Sequence, residues 1–164
     1  MYTRSYTKNS NPNYFIENPL DGNCGSFALN VEEWYVSDLD IDNTITASEM
    51  LDEGRDIDDV FDYLTFMNVK QILKDFEGEV RILFNKRNVH EDEELIAYRI
   101  GIFTDEETEE IETDFHFKVR RNGKWMEKPG STEVRECDLK EDEEWVNSSN
   151  TIYNGPVIFL AKKI

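Results

Sequence analysis

An Asn-Gly pair at positions 122 and 123, inside "DFHFKVRRNGKWMEKPG", constrains this chain more than any other feature. Asn-Gly accepts positive φ at both central positions of a type I′ turn, whose twist matches that of the two strands it joins. The alternating residues on either side read as those strands. Counting outward from the turn fixes the register: Arg121 faces Lys124, Arg120 faces Trp125, Lys118 faces Glu127 and His116 faces Pro129. Side chains alternate along a strand. Phe115, Phe117, Val119 and Met126 therefore share an apolar face, while His116, Lys118, Arg120, Trp125 and Glu127 share a polar one. Glu127 is the diagonal neighbour of His116, near enough for a carboxylate to hold an imidazole in one orientation.

The same period of two runs through "EVRILFN", "ELIAYRIGIF" and "PVIFLAKK", all rich in β-branched and aromatic residues. Upstream the period is helical. Phe27, Ala28, Val31, Trp34 and Tyr35 predict a helix over 24–36. Val60, Phe61, Leu64, Val69, Ile72 and Phe76 predict another over 56–76, with Asp56, Asp58 and Asp59 in its first turn and Gly78 beyond its end. Helices first and an antiparallel sheet second is the order of an α+β domain. It spans 14–164, behind a flexible N-terminal arm at 1–13. "YFIENPL" reads as a short extended entry ended by Asn18-Pro19. The seven acids between Asp105 and Asp114 read as a loop joining two strands.

Length and charge bound the function. A chain of 164 residues with 38% hydrophobic residues is long and apolar enough for one core. The N-terminus offers no apolar segment of signal-peptide type, and no run approaches a membrane span, so a cytoplasmic setting is expected. Two cysteines allow at most one Cys24–Cys137 bridge. Eighteen basic and 36 acidic residues give a net charge of −18. Such a surface repels nucleic acid and anionic membranes and attracts a basic protein partner. Phosphate-loop, dinucleotide and zinc spacings are absent from the sequence.

Three readings of function remain. In the first, Cys24 opens a helix after the turn "DGN". Free backbone N–H groups there lower a thiol's pKa and can bind an oxyanion, with Asn18 or Asn23 adding a side-chain donor. With His116 as base and Glu127 as its orienting partner, this makes a cysteine hydrolase acting on a protein or peptide substrate. In the second, the chain is a strongly acidic binding or inhibitor protein without catalysis, such as a phage anti-defence factor or nucleic-acid mimic. In the third, "DLDIDNTITASE" is a calcium loop, with Asp38, Asp40, Asp42, Thr44, Thr46 and Glu49 at positions 1, 3, 5, 7, 9 and 12 and Asn43 where glycine is usual. No other cofactor is expected. His90, in "NKRNVHEDEE", reads as a surface residue.

A resemblance favours the first reading. "NCGSFA" resembles the nucleophile region of papain-like cysteine peptidases, and "DGNC" is similar to the start of the ovarian-tumour-type deubiquitinases. "NCGSFALN" together with "DFHFKVRRNGKWMEKPGSTEV" resembles a group of small bacterial and phage proteins with an Asn-Cys helix start and an Asp-aromatic-His-aromatic hairpin ending in Lys-Pro-Gly. The resemblance covers about 30 of the 164 residues. It implies a papain-like fold with Cys24 as nucleophile and His116 as base. This chain departs from the group at Glu127, where that hairpin carries a histidine.

Overall fold

The computed structural model describes residues 4–37, 40–147 and 151–164. It is an α+β arrangement. Four helices precede the sheet: α1 (Tyr14–Glu17), α2 (Cys24–Leu29), α3 (Asp40–Asp52) and α4 (Ile57–Asp75). Eight strands follow: β1 (Val80–Leu83), β2 (Glu93–Thr104), β3 (Ile111–Arg121), β4 (Lys124–Glu127), β5 (Arg135–Glu136), β6 (Trp145–Val146), β7 (Ile152–Tyr153) and β8 (Ile158–Lys163). Six of them form one antiparallel sheet in the order β1-β8-β2-β3-β4-β5, while β6 and β7 pair separately. Among the described residues, no helix is long and apolar enough to cross a membrane.

The hairpin forms in the register counted from its turn. Arg121 pairs with Lys124, Arg120 with Trp125 and Lys118 with Glu127. Asn122 and Gly123 take φ of 55° and 76°, as a type I′ turn requires. Strand β2 is covered on both faces. Leu95 through Ile102 are all buried. Ile96, Tyr98, Ile100 and Ile102 join the helices in the main core, with Phe117, Val119 and Leu160. Ala97 faces the opposite side, where it packs with Trp145 and Tyr153. Residues 138–147 and 151–155 thus form a roof over the face opposite the helices.

The roof is clamped from below by cations. Lys118 Nζ donates to the carbonyls of Asp138 (2.7 Å) and Leu139 (3.3 Å), and lies 4.3 Å from the centre of the Trp145 ring. Arg99 donates to the carbonyls of Gly155 and Glu143 and lies 5.5 Å from that ring. Gly101 lets the roof come close: a Cβ there would stand 1.9 Å from the Ile152 carbonyl oxygen. Gly101→Ala is expected to cost about 1–3 kcal/mol, because backbone must shift to admit the methyl group. A thermal melt followed by circular dichroism measures it, and an unchanged midpoint would show that β7 does not rest on β2.

Four sequence expectations are corrected. Part of the N-terminal arm packs on the domain: Tyr6 stacks on Tyr35 and Phe76, Asn9 is buried and Lys8 bridges Val31, while residues 10–13 are exposed. Tyr14–Glu17 is a helical turn and not an extended entry. The helix predicted over 24–36 stops at Leu29, because Asn30 takes the left-handed conformation (φ 54°) and turns the chain. Val31 and Tyr35 are buried, but from a bent, non-helical segment, so their helical spacing is coincidental. Finally, α3 occupies the calcium-loop window. By contrast, α4 matches its predicted span, with the Asp56 carboxylate accepting from the Asp58 N–H at its start.

Candidate functional site

Cys24 and His116 line one cavity at the sheet edge, and Glu127 bonds to the histidine. Strand β4 ends at Glu127, so β3 residues before Lys118 have no β4 partner. In a two-residue hairpin the flanking pair Arg121 and Lys124 exchange backbone hydrogen bonds, and the alternation then points the N–H of Phe117 toward the vacated side. The start of α2 fills that side. The Phe117 and Gly25 amides both reach the Cys24 sulfur. Cys24 packs on the helix side of the sheet and His116 stands on the roof side, yet both line one cavity of about 330 Å³ at this edge.

Asn23 shapes the turn that delivers Cys24. Its Oδ1 accepts from the Ser26 N–H (3.0 Å) and the Tyr35 N–H (3.2 Å), and its Nδ2 donates to the Tyr35 carbonyl (2.7 Å). Ser26 completes a capping box with the Asn23 backbone. Lys128 braces the same turn from the hairpin. It is fully buried, and its Nζ donates to the carbonyls of Gly22 and Gly130, the latter at 2.6 Å. Of the two asparagines expected as oxyanion donors, Asn23 lines the cavity with one amide hydrogen bonded to the Tyr35 carbonyl, whereas the exposed Asn18 donates to the Tyr14 carbonyl and does not line it.

His116 is buried, although the sequence places it on the polar face, because the roof covers that face. Its Nε2 lies 2.8 Å from Glu127 Oε1. Tyr153 stacks on the ring at 5.2 Å, and Trp145 meets it edge-on at 6.1 Å. Burial acts to raise the Glu127 pKa, but the hydrogen bond and charge of His116, and then Arg135 at 2.9 Å, outweigh it and hold the carboxyl at about 2. Glu127 is therefore ionised and can only accept. Nε2 must carry the hydrogen, which leaves the lone pair of the neutral ring on Nδ1.

The thiol itself is set for a neutral resting state. Burial pushes Cys24 up to about 12, with the Asp114 charge adding to the rise. The amides of Phe117 and Gly25 and the Lys128 ammonium pull the other way. Asp114 accepts from the Tyr153 hydroxyl (3.0 Å) and from the Phe115 N–H (2.8 Å), and burial raises its own pKa. A second cavity of about 430 Å³ lies on the far side of His116, and Asn147 and Tyr153 line both. Cys137 lines this second cavity, and no bridge joins it to Cys24, since both cysteines are free.

The sequence reading missed Asp114, Lys128 and Tyr153. Asp114 was within reach, because alternation sets it on the same face as His116, two residues away. Lys128 lies one residue past the paired strand, and Tyr153 comes from the roof, so no spacing pointed to either.

The calcium reading is corrected. Asp38 lies outside the described residues, and Asp40, Asp42, Thr44, Thr46 and Glu49 stand on α3. Helix positions two apart do not face one another, so the required loop is not formed. Asn43, Ala47, Met50 and Leu51 supply the reason: they turn toward the core at helical spacing. Thr44 Oγ1 lies 3.0 Å from Thr113 Oγ1 on β3. Among the described residues, one trio of possible ligands clusters elsewhere, His90, Asp92 and Glu93, but Glu93 is ion-paired with Arg81. His90 is exposed, as its charged surroundings implied.

No protein-family model, curated protein or solved structure matches this chain.

Proposed function

We propose that this protein is a papain-like cysteine hydrolase that cleaves a peptide, isopeptide or side-chain amide bond. One observation carries the reading: the histidine lining the cysteine's cavity holds an ionised, buried carboxylate on Nε2. That arrangement presents Nδ1 as the base. The Sγ of Cys24 attacks the substrate carbonyl carbon as Nδ1 takes the thiol proton, and the proton then passes to the leaving nitrogen. A thioester remains, which water hydrolyses with His116 again as base. Because burial keeps the resting thiol neutral, proton transfer accompanies attack instead of preceding it. The Asn23 carboxamide oxygen and backbone carbonyl take the Ser26 and Phe27 N–H groups. The Gly25 N–H is turned to the sulfur, so the Cys24 N–H is the first-turn donor left for the oxyanion. A net charge of −18 favours a basic peptide or protein as substrate.

Alkylation by chloroacetamide at neutral pH, read by mass spectrometry, tests this. Cys24 is expected to react at least about tenfold faster than Cys137, and His116→Ala is expected to slow it by a factor of about 10²–10⁴. Burial also raises the Cys137 thiol, to about 11, so the comparison is between two thiols that are both neutral at rest. Equal rates at the two cysteines, or a Cys24 rate indifferent to His116→Ala, would sink the proposal.

A further inference from the structure

Resting on the cysteine-hydrolase reading, we propose that Asp114 selects substrates carrying a lysine or arginine next to the bond to be cut. Asp114 and Cys24 line the same cavity of about 330 Å³. Among the described residues, Asp114 is the one carboxylate of that lining, and no lysine or arginine lines it. Ligand cavities run from about 300 to about 1,000 Å³, so this one takes a residue or two of a peptide. Two carboxylates stand by His116, and the fold pairs only one of them with a cationic side chain. Glu127 holds His116 and Arg135. Asp114 accepts only from neutral donors, the Phe115 N–H and the Tyr153 hydroxyl. Among the described residues, no lysine or arginine pairs with it. An ionised carboxylate offers about four acceptor sites, so roughly two remain open to a ligand. A half-buried charge without a counter-ion weakens a fold, and such groups mark places where a ligand supplies the missing charge.

Trp34 supplies a second contact of the same preference. It lines the cavity and is 48% exposed. An open indole face attracts a cation and covers the methylene stem that carries it. A carboxylate and an indole in one cavity therefore suit a long side chain with a charged head. Asp114 also bears on the nucleophile. In the empty cavity its charge opposes ionisation of Cys24. A substrate cation beside Asp114 offsets that charge, so a basic substrate eases the departure of the thiol proton to His116 as the sulfur attacks.

A pair of covalent probes tests the selection: an acetyl-dilysine chloromethyl ketone and its neutral dinorleucine counterpart. Alkylation of Cys24 in the full chain is followed by mass spectrometry at physiological salt, where the field of the net charge is screened beyond about 8 Å. The wild type is expected to react at least about tenfold faster with the lysine probe. Asp114→Asn keeps the size of the side chain and is expected to cut that ratio at least about fivefold. Trp34→Ala, at an exposed position, is expected to cut it about two- to fivefold. Each ratio compares two probes on one variant, so a general loss of reactivity cancels. A wild-type ratio near one overturns the selection. So does a ratio that Asp114→Asn leaves unmoved, since the preference then belongs to the net charge. Failure of the underlying chemistry looks different: Cys24 would react with plain chloroacetamide at a rate indifferent to His116→Ala.

Discussion

Glu127→Gln is expected to reduce the His116-dependent alkylation of Cys24 by a factor on the order of 10³–10⁴ while leaving the sheet in place. Glutamine keeps the size of the side chain but removes the charge that fixes the ring. Its amide can offer Nε2 either a donor or an acceptor, so the tautomer with the lone pair on Nδ1 is no longer enforced. Loss of that orienting charge is worth about this factor where a carboxylate serves a histidine base. A decrease below about tenfold would show that His116 does not depend on Glu127.

The same substitution has a signature in acid. The folded pKa of Glu127, about 2, lies below its unfolded value of about 4.3. Its contribution to stability is therefore full above about pH 4.3 and is lost as pH falls toward 2. Chemical denaturation at pH 6, 4 and 2 is expected to show wild-type stability falling more steeply than that of Glu127→Gln. Parallel curves would mean that the ion pair with Arg135 and the bond to His116 contribute nothing to folding.

Lys128→Ala is expected to destabilise the fold by about 3 kcal/mol and to expose Cys24. Three methylene groups of buried stem account for about 2.4 kcal/mol at ~0.8 each. The Gly22 and Gly130 carbonyls lose their donor, and a buried acceptor left unpaired costs about 1–3 kcal/mol. Relief from burying an ammonium offsets part of the total. Lys128→Met separates the terms, since it keeps the stem and removes only the donor. In either variant the turn from Gly22 to Cys24 loses its brace, so the alkylation rate of Cys24 should become less dependent on His116. Denaturant unfolding and labelling with the same reagent measure both effects, and wild-type values from the alanine variant would contradict the bracing role.

The hairpin was legible because a two-residue turn leaves no freedom: Asn122-Gly123 dictates every pairing down to Lys118 and Glu127. Helix α4 was legible because its cap and apolar period agree over five turns. The calcium motif misled because aspartates at alternate positions satisfy a loop template, while Asn43, Ala47, Met50 and Leu51 satisfy a helix and are the residues that pack. Cys24 and His116 could be singled out separately, one by its turn and one by its strand. That both line one cavity depends on where β4 ends, a boundary that alternation does not mark. The roof was least legible of all, since it is made of two-residue strands and carbonyl contacts that leave no period to read.

Those carbonyl contacts bear on how such a protein tolerates drift. Lys118 and Arg99 grip main-chain oxygens at residues 138, 139 and 143, and every amino acid brings that oxygen with it. Side chains at these three positions can therefore change over generations without loosening the grip. Asp138 borders the cavity that His116 and Glu127 line, so one lineage can re-tailor that wall while the histidine and its carboxylate stay fixed.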